Sequence, residues 1–213
     1  MLKVEKIDVW GFEHAIRGMR NPLNSWDKSD SEYESANFCD HNFIIGDNDI
    51  ELMQKLYKAG SEHRKYLRQI FISMDVVAPL YWWKEADQYR IGVTTNSCST
   101  MHTIHKKEFE LNDFSHEHLN SESVNRLKFL LELLNIYRES YIVSQDKQDW
   151  WQLIQLLPSS YNQKRTITMN YENIVNIINQ RTGHKLDEWN NFVDKLKCLP
   201  YVNDIMKGNA GDE

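Results

Sequence analysis

The chain has 213 residues, with 25 Lys plus Arg against 31 Asp plus Glu and a formal net charge of −6. That length bounds it to one domain, or one domain with a helical extension, able to bury a real core, and the acidic balance disfavours binding along a DNA or RNA backbone. No apolar run of about 18 residues could span a membrane, the first residues lack a signal-peptide run, and Cys39, Cys98 and Cys198 are too few and too widely spaced for a disulfide framework or zinc knuckle, so a cytoplasmic protein is expected.

Four prolines and eight glycines leave room for long helices. In chain order, Val4, Ile7 and Val9 alternate as a strand does. Residues 20–31 are polar and turn-rich, hence a loop. Asp47 or Asn48 caps a helix carrying Ile50, Met53, Leu56 and Tyr57, and Gly60 ends it. A second helical pattern puts Tyr66, Leu67, Ile70 and Phe71 on one face. Pro79 fits the first turn of a third helix with Leu80, Tyr81, Trp83 and Ala86, ending near Tyr89. Residues 91–96 read as extended. His102, His105, His116 and His118 follow; His116-Glu-His118 with Asp113 matches no firm zinc spacing, so no metal is assigned. Ser121 caps a long helix with Leu127, Leu130, Leu131, Leu134 and Tyr137 as its apolar stripe. Residues 146–157 form another helix ending at Leu157-Pro158, and Thr166–Met169 is a short strand. Asn170 caps a helix whose apolar face is Ile174, Val175, Ile177 and Ile178 and whose end carries Arg181. A last helix covers about 185–197, and the tail after Met206 is polar and frayed. The whole reads as a single domain over 1–206 with a tail at 207–213, an α/β protein of the α+β type with a small antiparallel sheet flanked by long helices.

The densest chemical signal lies between Pro79 and His102. An aromatic helix runs into Arg90 and then into Thr94-Thr-Asn96-Ser97-Cys-Ser99-Thr. Buried hydroxyls and amides each need a partner, so this run either lines a polar pocket beside an apolar wall, the usual form of a small-ligand site, or is an unliganded strand and turn.

Three pieces of sequence carry a family resemblance. Gln88-Tyr89-Arg90-Ile-Gly-Val-Thr-Thr-Asn96-Ser97-Cys98-Ser99-Thr-Met101 parallels a signature of the form Arg-His-Arg-x-x-Ser-x-Asn-Glu-x-Ser-x-Arg, with one inserted residue. Leu157-Pro158, then Asn170 opening a helix and Arg181 closing it, repeat a second pattern at the same spacing, followed by His184 and Trp189. Ala15–Arg20 and Gly60-Ser-Glu-His63 are weaker landmarks. In this order the chain resembles the flavin-dependent thymidylate synthases, the ThyX family.

The resemblance implies a ThyX-like fold and a homotetramer whose active sites are shared between subunits. It also implies nucleotide contacts from Arg181, Arg90, Asn96, Ser97, Ser99 and Glu85, and FAD contacts from Arg90, His63, Asn170 and Asn176. Where catalysis is retained it implies reductive methylation of a pyrimidine nucleotide, with NADPH and methylenetetrahydrofolate. Independently, clustered Trp and Tyr on helix 79–89 favour an interface. The chain departs from the pattern at Gln88 and Tyr89 (an Arg-His pair in the family), Met101 or Thr100 (an arginine), Glu85 (a glutamine), Ile154 and Glu172 (arginines). Tyr, Gln and Met lack the bidentate fork with which arginine grips phosphate, which opens dUMP and FAD to question. Each assigned residue also has a plainer role: Arg181 as a cation at a helix C-terminus, Asn170 as an N-cap, Arg90 as a partner of Asp87. Three functions remain: a flavin enzyme acting on a pyrimidine nucleotide, an inactive ThyX-like scaffold holding another nucleotide or signalling ligand, and a helical interaction protein.

Overall fold

The computed structural model describes residues 2–34 and 43–207. In order, the chain forms β1 (Lys3–Trp10), α1 (Phe12–Arg20), two short 3₁₀ turns, β2 (Glu32–Tyr33), β3 (Phe43–Ile44), α2 (Asp47–Lys58), a 3₁₀ segment (Ser61–Gln69), β4 (Phe71–Pro79), α3 (Leu80–Ala86), β5 (Thr94–Ser97), α4 (Thr100–Thr103), α5 (Ser121–Ser144), α6 (Lys147–Leu156), β6 (Asn162–Asn170), α7 (Tyr171–Arg181), α8 (Asp187–Lys197) and α9 (Val202–Met206). Four strands are ordered β1-β4-β6-β5, and β2 pairs with β3 antiparallel. The β4–β6 pairing is antiparallel as well. Leu80 N donates to Tyr161 O, Asp75 accepts from Thr166, and Tyr171 N donates to Ile70 O, so one strand's numbers rise as the other's fall. The expected α+β architecture with antiparallel sheets flanked by helices is what the chain adopts.

Two compact units make up the described chain. The first holds residues 75–88 and 95–166. Its core is a helical hairpin, α5 against α6, in which Leu127, Leu131, Leu134 and Leu153 bury with Ile104, Phe109 and Phe114. Asn135 fastens the preceding loop to α5 by accepting from Phe109 N (2.9 Å) and donating to Phe109 O (3.0 Å). Asn120, not Ser121, is the N-cap, its side chain accepting from Ser123 N. Trp82 and Trp83 of α3 are buried within the chain, with the Trp83 indole donating to Gln163 O at 2.9 Å. This removes the argument for an interface on helix 79–89: its tryptophans serve packing.

The second unit holds residues 4–74, 89–94 and 167 onward. Phe12, Ala15, Ile16 and Met19 of α1, Met53 and Tyr57 of α2, Ile174, Val175, Ile177 and Ile178 of α7, and Trp189, Phe192 and Val193 of α8 close its core. Gly46 occupies the N-cap of α2, and the Asp30 carboxylate accepts from Asn48 N (2.9 Å) and Asp49 N (3.2 Å). Capping thus comes from 18–19 residues upstream rather than from Asp47 or Asn48. The second helical pattern is a 3₁₀ segment ending at Gln69; Ile70 leaves it and Phe71 opens β4. The third helix stops at Ala86, before Tyr89. Residues 91–96 become strand only from Thr94. The polar tail after 207 lies outside the described residues.

Gly11 joins β1 to α1 with φ of +96°, and a Cβ there would meet the carbonyl oxygen of Gln69. Both the left-handed backbone and the missing space require glycine. Gly11→Ala is expected to destabilise by about 1–3 kcal/mol, read as a lowered urea midpoint with unchanged slope; an unshifted midpoint would contradict this account of the β1–α1 corner.

Candidate functional site

The site is built at the C-terminal end of α7, in the second unit. The helix starts where the sequence places it. Asn170 Oδ1 accepts from Asn173 N (3.1 Å), while Asn173 Oδ1 accepts from Asn170 N (3.2 Å), a reciprocal cap. Its buried face fixes the direction in which the last residues project. Arg181 ends the helix, where its charge complements the helix dipole.

Beyond Arg181 the chain turns through Gly183, at φ +73°, and His184 N donates back to Arg181 O at 3.2 Å. His184 O accepts from Asn190 Nδ2 at 2.8 Å, so α8 holds the turn. The guanidinium lies over the buried Trp189 indole, 4.5 Å from Cζ to the ring centroid, with the Tyr89 ring at 5.6 Å. Arg181 Nε donates to the Tyr89 hydroxyl (2.9 Å), which donates onward to Gln180 Oε1 (3.0 Å). Cation–π contact and a fixed Nε hold the guanidinium plane in one orientation.

His184 completes the group. Its Nδ1 accepts the Leu186 amide at 3.1 Å. Arg181 Nη1 is hydrogen-bonded to Nε2 at 3.1 Å, so the imidazole links the guanidinium to the turn into α8. An oxygen acceptor, whether a phosphate, a carboxylate or the carbonyl of a planar base, is the chemical group a fixed guanidinium takes.

Segment 89–92 is strapped along α7: Tyr89 bonds to its end and Ile91 O accepts from Asn173 Nδ2 at its start (2.8 Å). Arg90 sits between these two anchors and is exposed. A Cβ on Gly92, φ +73°, would come within 2.8 Å of Asn170 Nδ2; only glycine allows this approach. Of the residues assigned from sequence, Arg181, Arg90, Asn170, Asn176 and His63 belong to this unit. Asn170 is buried in its cap, Asn176 is half-buried in mid-helix, and His63 is exposed in the 3₁₀ segment. Glu172, in the first turn of α7, is bound by Arg68 through both Nε and Nη2.

Glu85, Asn96, Ser97 and Ser99 belong to the other unit. Glu85 is half-buried on α3, while Asn96 and Ser97 are exposed on β5. Ser99 caps α4, its hydroxyl accepting from His102 N at 3.1 Å. Cys98 fixes this run to β6, its N donating to Lys164 O (3.0 Å) and its O accepting from Gln163 Nε2 (2.7 Å). Sequence reasoning missed Arg165, which lies 4.2 Å over the Trp83 ring and donates to Asp87 (2.7 Å) and Gln163 (3.0 Å). Nothing in local sequence marks a pair 78 residues apart. Among the described residues no group of three or more His, Cys, Asp or Glu is placed to hold a metal ion, and no helix is long and apolar enough to cross a membrane.

The architecture is that of the ThyX flavin-dependent thymidylate synthases. The chain superposes on ThyX from Helicobacter pylori, solved with FAD and dUMP, at a TM-score of 0.63, with 17% identity and 95% of each chain covered. A second Helicobacter pylori ThyX structure, also with FAD and dUMP, gives 0.62, 16% identity and 96% of each chain. No family model matches the sequence, and no curated protein matches it.

Proposed function

We propose that this chain is a divergent ThyX-superfamily protein that binds a nucleotide, with Arg181 holding an oxygen of its base or phosphate. The observation behind this reading is the Arg181 guanidinium, stacked on Trp189, locked by Tyr89 and bonded to His184. It stands at the end of the helix that the resemblance singles out, in a chain with the full ThyX architecture.

The start of the same helix does not fit an anionic cofactor. Asn170 spends its side-chain oxygen on its own cap, and Glu172 places a carboxylate in the first turn, ion-paired with Arg68. A negative charge there opposes a pyrophosphate. These two observations favour the scaffold reading, in which the nucleotide is bound without being methylated.

The test is calorimetric titration of the purified protein with dUMP and other nucleoside monophosphates, alongside its absorption spectrum. Saturable nucleotide binding by a colourless protein is the expected result. Stoichiometric bound flavin would restore the methylating-enzyme reading, and no binding of any nucleotide would overturn the proposal.

A further inference from the structure

Arg20 carries more donors than its partners use. The residue is only 4% exposed. Its Nε donates to Asp49 Oδ1 at 2.6 Å, and Nη1 donates to Ser25 O at 3.1 Å and to Ser25 Oγ at 3.4 Å. A guanidinium has five N–H groups, and the two on Nη2 have no hydrogen-bond partner among the described residues. Arg20 lines a cleft of about 480 Å³ in the second unit, within the size range of small-molecule sites. Ile16, Trp26, Tyr33 and Phe43 supply its apolar walls. The rings are held in place: Trp26 Nε1 donates to Asn21 Oδ1 at 2.8 Å, the Tyr33 hydroxyl donates to Glu13 Oε2 at 2.8 Å, and the Phe43 ring packs edge-on against Tyr33 at 5.0 Å. Ser29 and Ser31 spend their hydroxyls on Asp49 Oδ2. What the cleft offers a ligand is therefore aromatic wall and one spare, buried N–H donor group.

We propose that this cleft binds a small neutral aromatic carbonyl compound, an aryl amide or its equivalent, with its ring against Trp26, Tyr33 and Phe43 and its carbonyl oxygen on Arg20 Nη2. The ring is favoured because aromatic walls reward a flat apolar body. The carbonyl is favoured because a buried donor left unpaired is costly and one acceptor relieves it. A carboxylate fits less well. Asp49 already balances the Arg20 charge and Arg17 pairs with Glu13, so Glu32 leaves the lining acidic, and like charges brought together in a binding site are penalised. The cleft uses none of the residues around Arg181, and the proposal does not depend on the nucleotide reading.

The experiment is calorimetric titration of the full chain with three probes: indole-3-carboxamide, indole-3-carboxylate and indole. The arginine is tested through the ligand, because Arg20 variants also break the pair with Asp49. The amide should saturate one site per chain, with the carboxylate weaker and indole, which lacks the acceptor, weaker by about ten-fold or more. Trp26 is 53% exposed, so Trp26→Ala should keep the wild-type melting temperature while binding the amide about ten-fold more weakly. If that variant melts lower, Trp26→Leu carries the same expectation. Excess dUMP should leave amide binding unchanged. The proposal fails if the amide does not bind saturably, if indole or the carboxylate binds as tightly, if a folded Trp26 variant binds like wild type, or if dUMP displaces the amide.

Discussion

Replacing Asp49 with alanine is expected to destabilise the protein by about 3–5 kcal/mol, because it leaves a buried arginine without its counter-charge. Asp49 and Arg20 are both buried. Arg20 Nε donates to Asp49 Oδ1 at 2.6 Å, and the hydroxyls of Ser29 (2.7 Å) and Ser31 (2.6 Å) donate to Oδ2. Arg20 also donates to Ser25 O at 3.1 Å. The network ties α1 and the following loop to α2, and each oxygen of the carboxylate is satisfied. Removing both charges, as in Arg20→Met/Asp49→Leu, should recover part of the loss, since the pair itself contributes less than the penalty for breaking it.

The same group fixes an acid limit. Burial works to raise the Asp49 pKa, but hydrogen bonds from Ser31, Ser29 and Arg20, with the Arg20 charge, outweigh it and hold the value below the ordinary 3.8. A depressed native pKa contributes stability in full above the unfolded value and loses it as pH falls through the native one. Wild-type stability should therefore drop below pH 3.8 more steeply than that of Asp49→Ala, whose curve lacks this component. Urea denaturation from neutral to strongly acidic pH measures both effects. A variant within about 0.5 kcal/mol of wild type at pH 7, the range of ordinary surface substitutions, would refute the account.

How far the fold could be read beforehand follows from where each element takes its instructions. β1 is legible from the β-branched Val4, Ile7 and Val9, although its burial does not alternate and Ile7 is exposed; α7 is legible because its cap and apolar stripe are both local. β4 is not legible. Ile72, Met74, Asp75 and Val76 are all buried, so the strand lacks the alternation of a half-exposed one, and Ile70 and Phe71 extend the helical-looking stripe of Tyr66 and Leu67 into it. The α2 cap is hidden for another reason: the capping carboxylate is Asp30, across a loop, and Gly46 gives no sign of it. The site divides in the same way. Arg181 is visible from its position at a helix end. Tyr89 in sequence is only a histidine that is absent, whereas in the structure its hydroxyl orients Arg181. Glu172 likewise reads as a lost arginine, and its partner Arg68, 104 residues away, makes it a fixed anion.

Arg181→Ala is expected to weaken nucleotide binding by about 2 kcal/mol or more, the cost of removing a charged hydrogen-bond partner from a desolvated contact. From sequence, a site cation should leave the melting temperature nearly unchanged. The geometry revises that expectation: the guanidinium covers Trp189 and anchors Tyr89, so truncation should also cost about 1–2 kcal/mol of unliganded stability. Arg181→Lys separates the two roles. Lysine keeps the charge and part of the stem packing on the indole, but it has no planar fork to hold one donor on Tyr89 and another beside His184. Its melting temperature should lie near wild type while dUMP binding falls with the alanine variant. Calorimetry and thermal melts on the three proteins decide the matter. Intact dUMP binding in both variants, with only the melt of Arg181→Ala lowered, would make Arg181 a residue that ties α7 to α8 and the 89–92 strap, and would move the ligand elsewhere.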